Sequence, residues 1–118
     1  MNPLAVVTID EHGPVLVGHV QGEVDLSNVD EIRSVLVAAV THEIECMILD
    51  LTSTTYLDST GVRLLFDLAE RLQGRRQQLR LVVNDEALVR RVVVLTQLDQ
   101  RVPMSSSVAD ALADFDRG

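Results

Sequence analysis

Cysteine is almost absent from this sequence, and lysine is entirely absent. The single cysteine, Cys46, cannot close an internal disulfide, and in its strand-like apolar run it reads as a small core side chain and not as a reactive thiol. All ten basic residues are arginines, a bias to which no role attaches. Positive charge is scarce in general: 10 basic residues face 18 acidic ones, for a formal net charge of −8. An acidic surface repels phosphates, which disfavours nucleic acid and anionic membranes as partners and leaves a protein or a small molecule. No apolar run approaches the ~18 residues of a membrane span. The start, MNPLAVVTIDEHG, lacks the basic region and cleavage site of a secretory signal, so the expected location is the cytoplasm.

The catalytic signatures are missing as well. There is no G-x-x-x-x-G-K-[ST], no H-E-x-x-H and no metal-spaced Cys/His set, so no metal, cofactor or catalytic residue is expected. A serine hydrolase would want G-x-S-x-G and a histidine base, but residue 57, two before Ser59, is leucine. His12, His19 and His42 fall in a hairpin turn, a strand and a post-helix loop, without an orienting motif, and read as ordinary surface or core histidines. No Pro/Gly/Ser-rich linker and no internal repeat divides the 118 residues, so a single domain over 1–118 is expected. With 47% hydrophobic residues, such a chain can bury about two-thirds of its unfolded surface without help from metal or disulfides.

What is present is hydrophobic periodicity. Two β-like segments, 3–10 and 14–20, flank EHG, and Gly13-Pro14 marks a tight connection suited to an antiparallel hairpin. QGEVDLSNVD then reads as a loop around Gly22, Glu23 and Asp25, with Ser27 or Asn28 capping a helix. That helix carries Val29, Ile32, Leu36 and Val40 at spacings of three and four. After its first residue, Glu45, ECMILDL at 45–51 is apolar on both alternating faces except at Asp50, the pattern of a central strand covered on both sides. A helix follows with Val62, Leu65, Phe66, Ala69 and Leu72 on one stripe and Gly74 placed to end it. LRLVV at 79–83 is a second buried strand, after which Asn84 or Asp85 caps a helix that uses Leu88, Val92 and Leu95. A short strand near 101–104 and a last helix, capped by a serine of SSS and packed through Val108, Leu112 and Phe115, complete the order β-β-α-β-α-β-α-β-α. Crossovers of this kind are almost always right-handed, so the expected fold is α/β: a mixed, mostly parallel sheet with an antiparallel N-terminal hairpin and about four helices.

Between ECMILDL and the next helix stand a short polar stretch, TSTTY, and then LDSTG at 57–61. The carboxyl end of a buried strand is where ligands and partners meet an open α/β sheet. Asp58 or Ser59 can accept the first free N–H groups of the helix, a cap that contributes about 1 kcal/mol. Capping leaves Gly61 unexplained, because glycine inside a helix costs roughly 1 kcal/mol relative to alanine. Its missing side chain points to close approach by another backbone, a partner or a phosphate. The functional reading makes Ser59 a phosphoacceptor, whose phosphate would meet free N–H groups and the positive end of the helix dipole. Asp58 repels that phosphate in the free and bound states alike, so it does not itself change affinity. A partner surface that must bury an added charge of about −1.5 to −2 does.

GEVD at 22–25, the strand CMILDL and YLDSTGVRLL at 56–65 together resemble the STAS domain, and most closely the stand-alone bacterial anti-sigma factor antagonists. In that family a G-E-L-D loop follows the second strand, and a hydrophobic strand ending in D-L leads into D-S-[ST]-G-L-x-x-L. The similarity continues through LRLVV, the helix before TQL and the final SSSVADAL, so it covers nearly the whole chain.

The resemblance implies that Ser59 is the phosphoacceptor. It implies that the unphosphorylated protein binds an anti-sigma factor with serine kinase activity and so frees a sigma factor, that phosphorylation of Ser59 ends binding, and that a serine phosphatase resets the cycle. The protein is then a substrate of an enzyme and not one itself. The loop with Gly22, Glu23 and Asp25 is implied to share one partner surface with Asp58, Ser59, Thr60, Gly61 and Arg63, although Glu23 and Asp25 also read simply as polar loop residues. Thr60 is a secondary acceptor candidate beside its plainer role as a cap or helix-surface residue. Two positions depart from the family pattern. Thr96-Gln97-Leu98 stands where Ser/Thr-Gly-Leu is common, which allows a turn of different shape. Val62-Arg63 replaces Leu-Gly and puts a cation one turn from Ser59, where it can pair with a phosphate, pair with a partner's acid, or stay solvated. The rival readings are a constitutive STAS accessory subunit of a transport or stress-sensing complex, and a hydrolase or small-molecule binder centred on Ser59.

Overall fold

A computed structural model of the chain describes residues 5–117. Strand β1, Ala5–His12, and strand β2, Val15–Val24, form an antiparallel ladder that runs from Ala5 opposite Gly22 to His12 opposite Val15. The two-residue turn between them is Gly13-Pro14, and Gly13 takes φ +63°, the left-handed region that a residue without Cβ enters freely. The first two residues of the expected strand, 3 and 4, lie outside the described residues.

Helix α1, Val29–Ala39, buries Val29, Ile32 and Leu36 as their spacing predicts. Strand β3, Cys46–Asp50, and strand β4, Thr54–Leu57, lead into helix α2, Ser59–Gly74. Strand β5, Gln78–Val82, precedes helix α3, Leu88–Leu95, then a 3₁₀ turn at Leu98–Gln100. Strand β6, Met104–Ser105, and helix α4, Val108–Asp116, follow, with Ser107 Oγ capping α4 by accepting from Asp110 N–H.

The sheet runs β1-β2-β3-β5-β6, and every pairing beyond the hairpin is parallel. β2 is long enough to hold two partners end to end: Val15–His19 pair with Cys46–Asp50, and Gly22–Val24 pair with the stretch from Thr54 to Leu57. The register shifts between Gly22 and Glu23, where Gly22 has φ +107°. Alternation along the central strands then divides the core in two. Leu16, Val20, Met47, Leu49 and Leu81 meet α1, α2 and α3 on one face, while Val15, Val17, Cys46, Ile48 and Val82 meet Ala111, Val108, Leu112 and Phe115 of α4 on the other. The mixed α/β architecture with four helices is thus the one expected. Cys46 is fully buried, and burial pushes its thiol up to about 11, so it is an inert core residue.

Several local expectations are corrected. Gly22 and Glu23 belong to β2 and not to a loop, because the polar TSTTY supplies a strand, β4, for them to pair with. The cap of α1 is a loop lock: Asn28 occupies the position, but its side chain accepts from Asp25 N–H at 3.0 Å and donates to the Glu23 carbonyl at 2.8 Å. α2 ends at Gly74 as expected, yet the left-handed residue after it is Arg76, with φ 60°. The buried stripe of α2 includes Leu64 and Leu68, while Val62 and Phe66 are only partly covered. α3 is turned one residue from its expected face: Val89 and Val93 are buried, whereas Leu88 is 70% and Leu95 79% exposed. Neither Asn84 nor Asp85 caps it. Ala87 holds the cap position, Asn84 Nδ2 donates to the Thr52 carbonyl, and Asp85 accepts from Ser106 Oγ. The strand expected near 101–104 is the two-residue β6, preceded by the 3₁₀ turn.

Candidate functional site

Asp58 organises the rim at the carboxyl ends of β2 and β4. Its backbone N–H donates to the Val24 carbonyl at 3.2 Å, continuing the ladder that pairs Val24 with Leu57. Its side chain then caps α2: Oδ1 accepts from Thr60 N–H at 2.9 Å, from Gly61 N–H at 3.0 Å and from the Thr60 hydroxyl. Oδ2 reaches across to accept from Leu26 N–H at 3.2 Å. One carboxylate thereby ties the 22–28 segment to the start of α2. The Thr60 hydroxyl, together with the Gly61, Leu26 and Thr60 amides, holds Asp58 below the usual carboxylate range, so it is an anion at neutral pH.

Ser59 is the first residue of α2 and is exposed, and its hydroxyl has no hydrogen-bond partner among the described residues. Thr60 is half-buried, its hydroxyl committed to Asp58. The two neighbouring hydroxyls are thus separated by the cap: one is used in the fold and one is presented to solvent. Arg63 is exposed one turn further along, and with Ser59, Val62, Phe66, Asp67 and Glu70 it lines a surface depression of about 420 Å³.

Gly61 has a different role from the one expected. It is buried, and a Cβ placed on it would stand 2.5 Å from Leu57 Cδ1 and 3.2 Å from Val24 Cγ1. The close approach comes from the protein's own strand side chains beneath the helix, not from a backbone, a partner or a phosphate outside it. Glu23 and Asp25 lie on the same rim. Glu23 is opposite Tyr56, and Asp25 Oδ1 accepts from Ser27 N–H at 2.8 Å. The structure thus brings Gly22, Glu23, Asp25, Asp58, Ser59, Thr60 and Gly61 into one neighbourhood, with Arg63 on its flank.

One feature of this rim was hidden in the sequence. Tyr56, Leu88 and Leu95 are exposed and, with Leu57 and Val92, line an apolar depression of about 290 Å³ beside β4. The signal was an excess: six of the eight residues of α3, LVRRVVVL, are apolar, more than one buried stripe needs.

His19 sits away from this rim, on the sheet face that α4 partly covers. Its Nδ1 lies 2.8 Å from Asp50 Oδ2 and its Nε2 lies 3.0 Å from Asp10 Oδ2. The Asp50 hydrogen bond is the main influence that raises its pKa, against a smaller opposing effect of burial. Burial alone would raise Asp50, but hydrogen bonds from the Thr52 N–H and hydroxyl and from His19 outweigh it and hold Asp50 low. Among the described residues, no group of three or more His, Cys, Asp or Glu is arranged to hold a metal ion, and no helix is long and apolar enough to cross a membrane.

The STAS domain family model matches residues 6–111, and the chain belongs to that family. Its relatives include the anti-sigma-F factor antagonist RsfB of Mycobacterium tuberculosis, 26% identical over 106 residues, which cover 90% of this chain and 85% of RsfB. Among solved structures, an anti-sigma factor antagonist from Mycobacterium paratuberculosis superposes with a TM-score of 0.84 at 26% identity, covering 93% of this chain and 92% of that one. The antagonist SpoIIAA in its unphosphorylated form shares the fold, with a TM-score of 0.78 at 18% identity and coverage of 96% and 98%.

Proposed function

We propose that this protein is an anti-sigma factor antagonist controlled by phosphorylation of Ser59, working as a single STAS domain over 1–118 in the cytoplasm. The observation that carries the reading is the free, exposed hydroxyl of Ser59 beside a carboxylate that fixes the helix start and the 22–28 segment as one surface. The relatives supply its direction, since RsfB and the Mycobacterium paratuberculosis protein are anti-sigma factor antagonists. The partner is an anti-sigma factor with serine kinase activity, which transfers the terminal phosphoryl group of ATP to Ser59 Oγ and releases ADP. A serine phosphatase removes the group. The protein is the substrate in both steps and no enzyme itself.

Glu23, Asp25, Asp58, Ser59, Thr60 and Arg63 form the polar part of the partner surface, with Gly22 shaping the end of β2 and Gly61 letting α2 sit down on the strands. Tyr56, Leu88 and Leu95 add apolar area next to it. A partner pressed against Ser59 must bury or oppose the new charge. A penalty of roughly 3 to 4 kcal/mol would weaken binding a few hundred-fold.

Mass spectrometry after incubation with the cognate kinase and ATP is expected to find one phosphate, on Ser59. Ser59→Ala should block modification and keep binding in a pull-down, and Ser59→Asp should weaken it. Wild-type affinity in Ser59→Asp would sink the switch and favour constitutive binding by an accessory STAS subunit.

A further inference from the structure

A phosphate on Ser59 finds two amides of the helix N-terminus already taken by the cap. The amides of Thr60 and Gly61 donate to Asp58 Oδ1, and the Val62 amide donates to the Asp58 carbonyl at 3.0 Å. Asp58 is moreover an anion, so the residue directly before Ser59 repels a phosphate. Two of the N–H groups that a bare helix start would offer are therefore spent on Asp58, and the nearby positive charge that can answer a phosphate is carried by a side chain.

The depression beside Ser59 holds two acids and one local cation. Both acids are answered from elsewhere in the fold. Arg33 of α1 reaches Asp67 at 3.5 Å, and Arg101 reaches Glu70 at 3.8 Å while lying 5.7 Å from the centre of the Phe66 ring. Arg63 is exposed and has no ion-pair partner among the described residues. It follows Ser59 by four positions, so the two share a helix face, and an anion placed four residues ahead of a cation is the favourable order on a helix. The planar guanidinium also matches phosphate oxygens two at a time, which a lysine at the same place would not.

We propose that Arg63 is the built-in receptor of the Ser59 phosphate, folding back along α2 to hold it once it is attached. This rests on the phosphoswitch reading above. The pairing makes the modification act twice: an anion is added to the partner surface, and the cation one turn away is withdrawn from it.

Phosphoserine can be encoded genetically at position 59, independently of any kinase, and its titration followed by ³¹P NMR in the full chain. Replacing Arg63 by glutamine (R63Q) is expected to raise the second pKa of the phosphate, about 6 in free phosphoserine, by roughly half a unit. R63K should fall between R63Q and wild type. Superimposable titrations of wild type and R63Q would overturn the role of Arg63 while leaving the switch intact. The switch reading fails on a separate result, full-strength partner binding by the encoded phosphoserine protein.

Discussion

At the residue scale, Gly61 shows how an absent side chain can be misread. From sequence alone its cost in a helix pointed outward, to something approaching the surface, whereas the space is filled from below by Leu57 and Val24. That Asp58 or Ser59 caps α2 was legible, because an acid and a hydroxyl stand where a helix begins after a buried strand. Which of the two caps the helix was not, since either oxygen could reach the same amides. Gly61→Ala should therefore destabilise the fold. Overpacking against Leu57 costs about 1–3 kcal/mol, and the better helix propensity of alanine returns about 1 kcal/mol of it. A urea midpoint that stays put or rises in Gly61→Ala would mean that Leu57 moves aside freely.

At the scale of elements, the long periodic segments were legible and the short ones were not. α1 and the apolar strands β3 and β5 announce themselves by spacing and by unbroken hydrophobic runs. β4 does not, because its two threonines, following Thr52 and Ser53, look like a loop until β2 is seen to have unpaired backbone to offer them. α3 defeats a periodic reading because its valines and leucines fit two faces equally well, and only packing against the sheet selects Val89 and Val93. The turn after α3 answers the question raised by Thr96-Gln97-Leu98. Gln97 adopts φ 63° and ψ 20°, so glutamine has taken over a conformation that suits glycine. A non-glycine residue there costs roughly 1–2 kcal/mol, and glycine gives back about 0.4–1 kcal/mol through unfolded-chain entropy. Gln97→Gly should therefore stabilise the protein by about 0.5–1 kcal/mol, read as a higher melting temperature. A lower one would show that the glutamine side chain contributes contacts of its own.

At the scale of the whole molecule, charge sets how stability follows pH. His19 has a raised pKa in the fold, so its contribution is complete below its unfolded value of about 6.5 and is lost as pH climbs through the folded value. Asp50 and Asp58 have lowered values, so theirs is complete above about 3.9 and is lost as pH falls through the folded values. The two limbs bound a maximum on the acid side of neutrality. Melting temperatures measured across that range should show His19→Asn losing most, relative to wild type, near pH 5.5, with the gap narrowing by pH 8.5. A gap that is constant with pH would mean that the imidazole between Asp10 and Asp50 acts only by packing. None of this was visible beforehand, because the register that places His19 beside Asp50 is a property of the assembled sheet.

The single carboxylate of Asp58 holds amides from two separate parts of the chain, Leu26 on one side and Thr60 and Gly61 on the other. Those three amides have a common gatekeeper. Their exchange with solvent is linked through one side chain, so any event that turns Asp58 away unlatches the 22–28 segment and frays the first turn of α2 together.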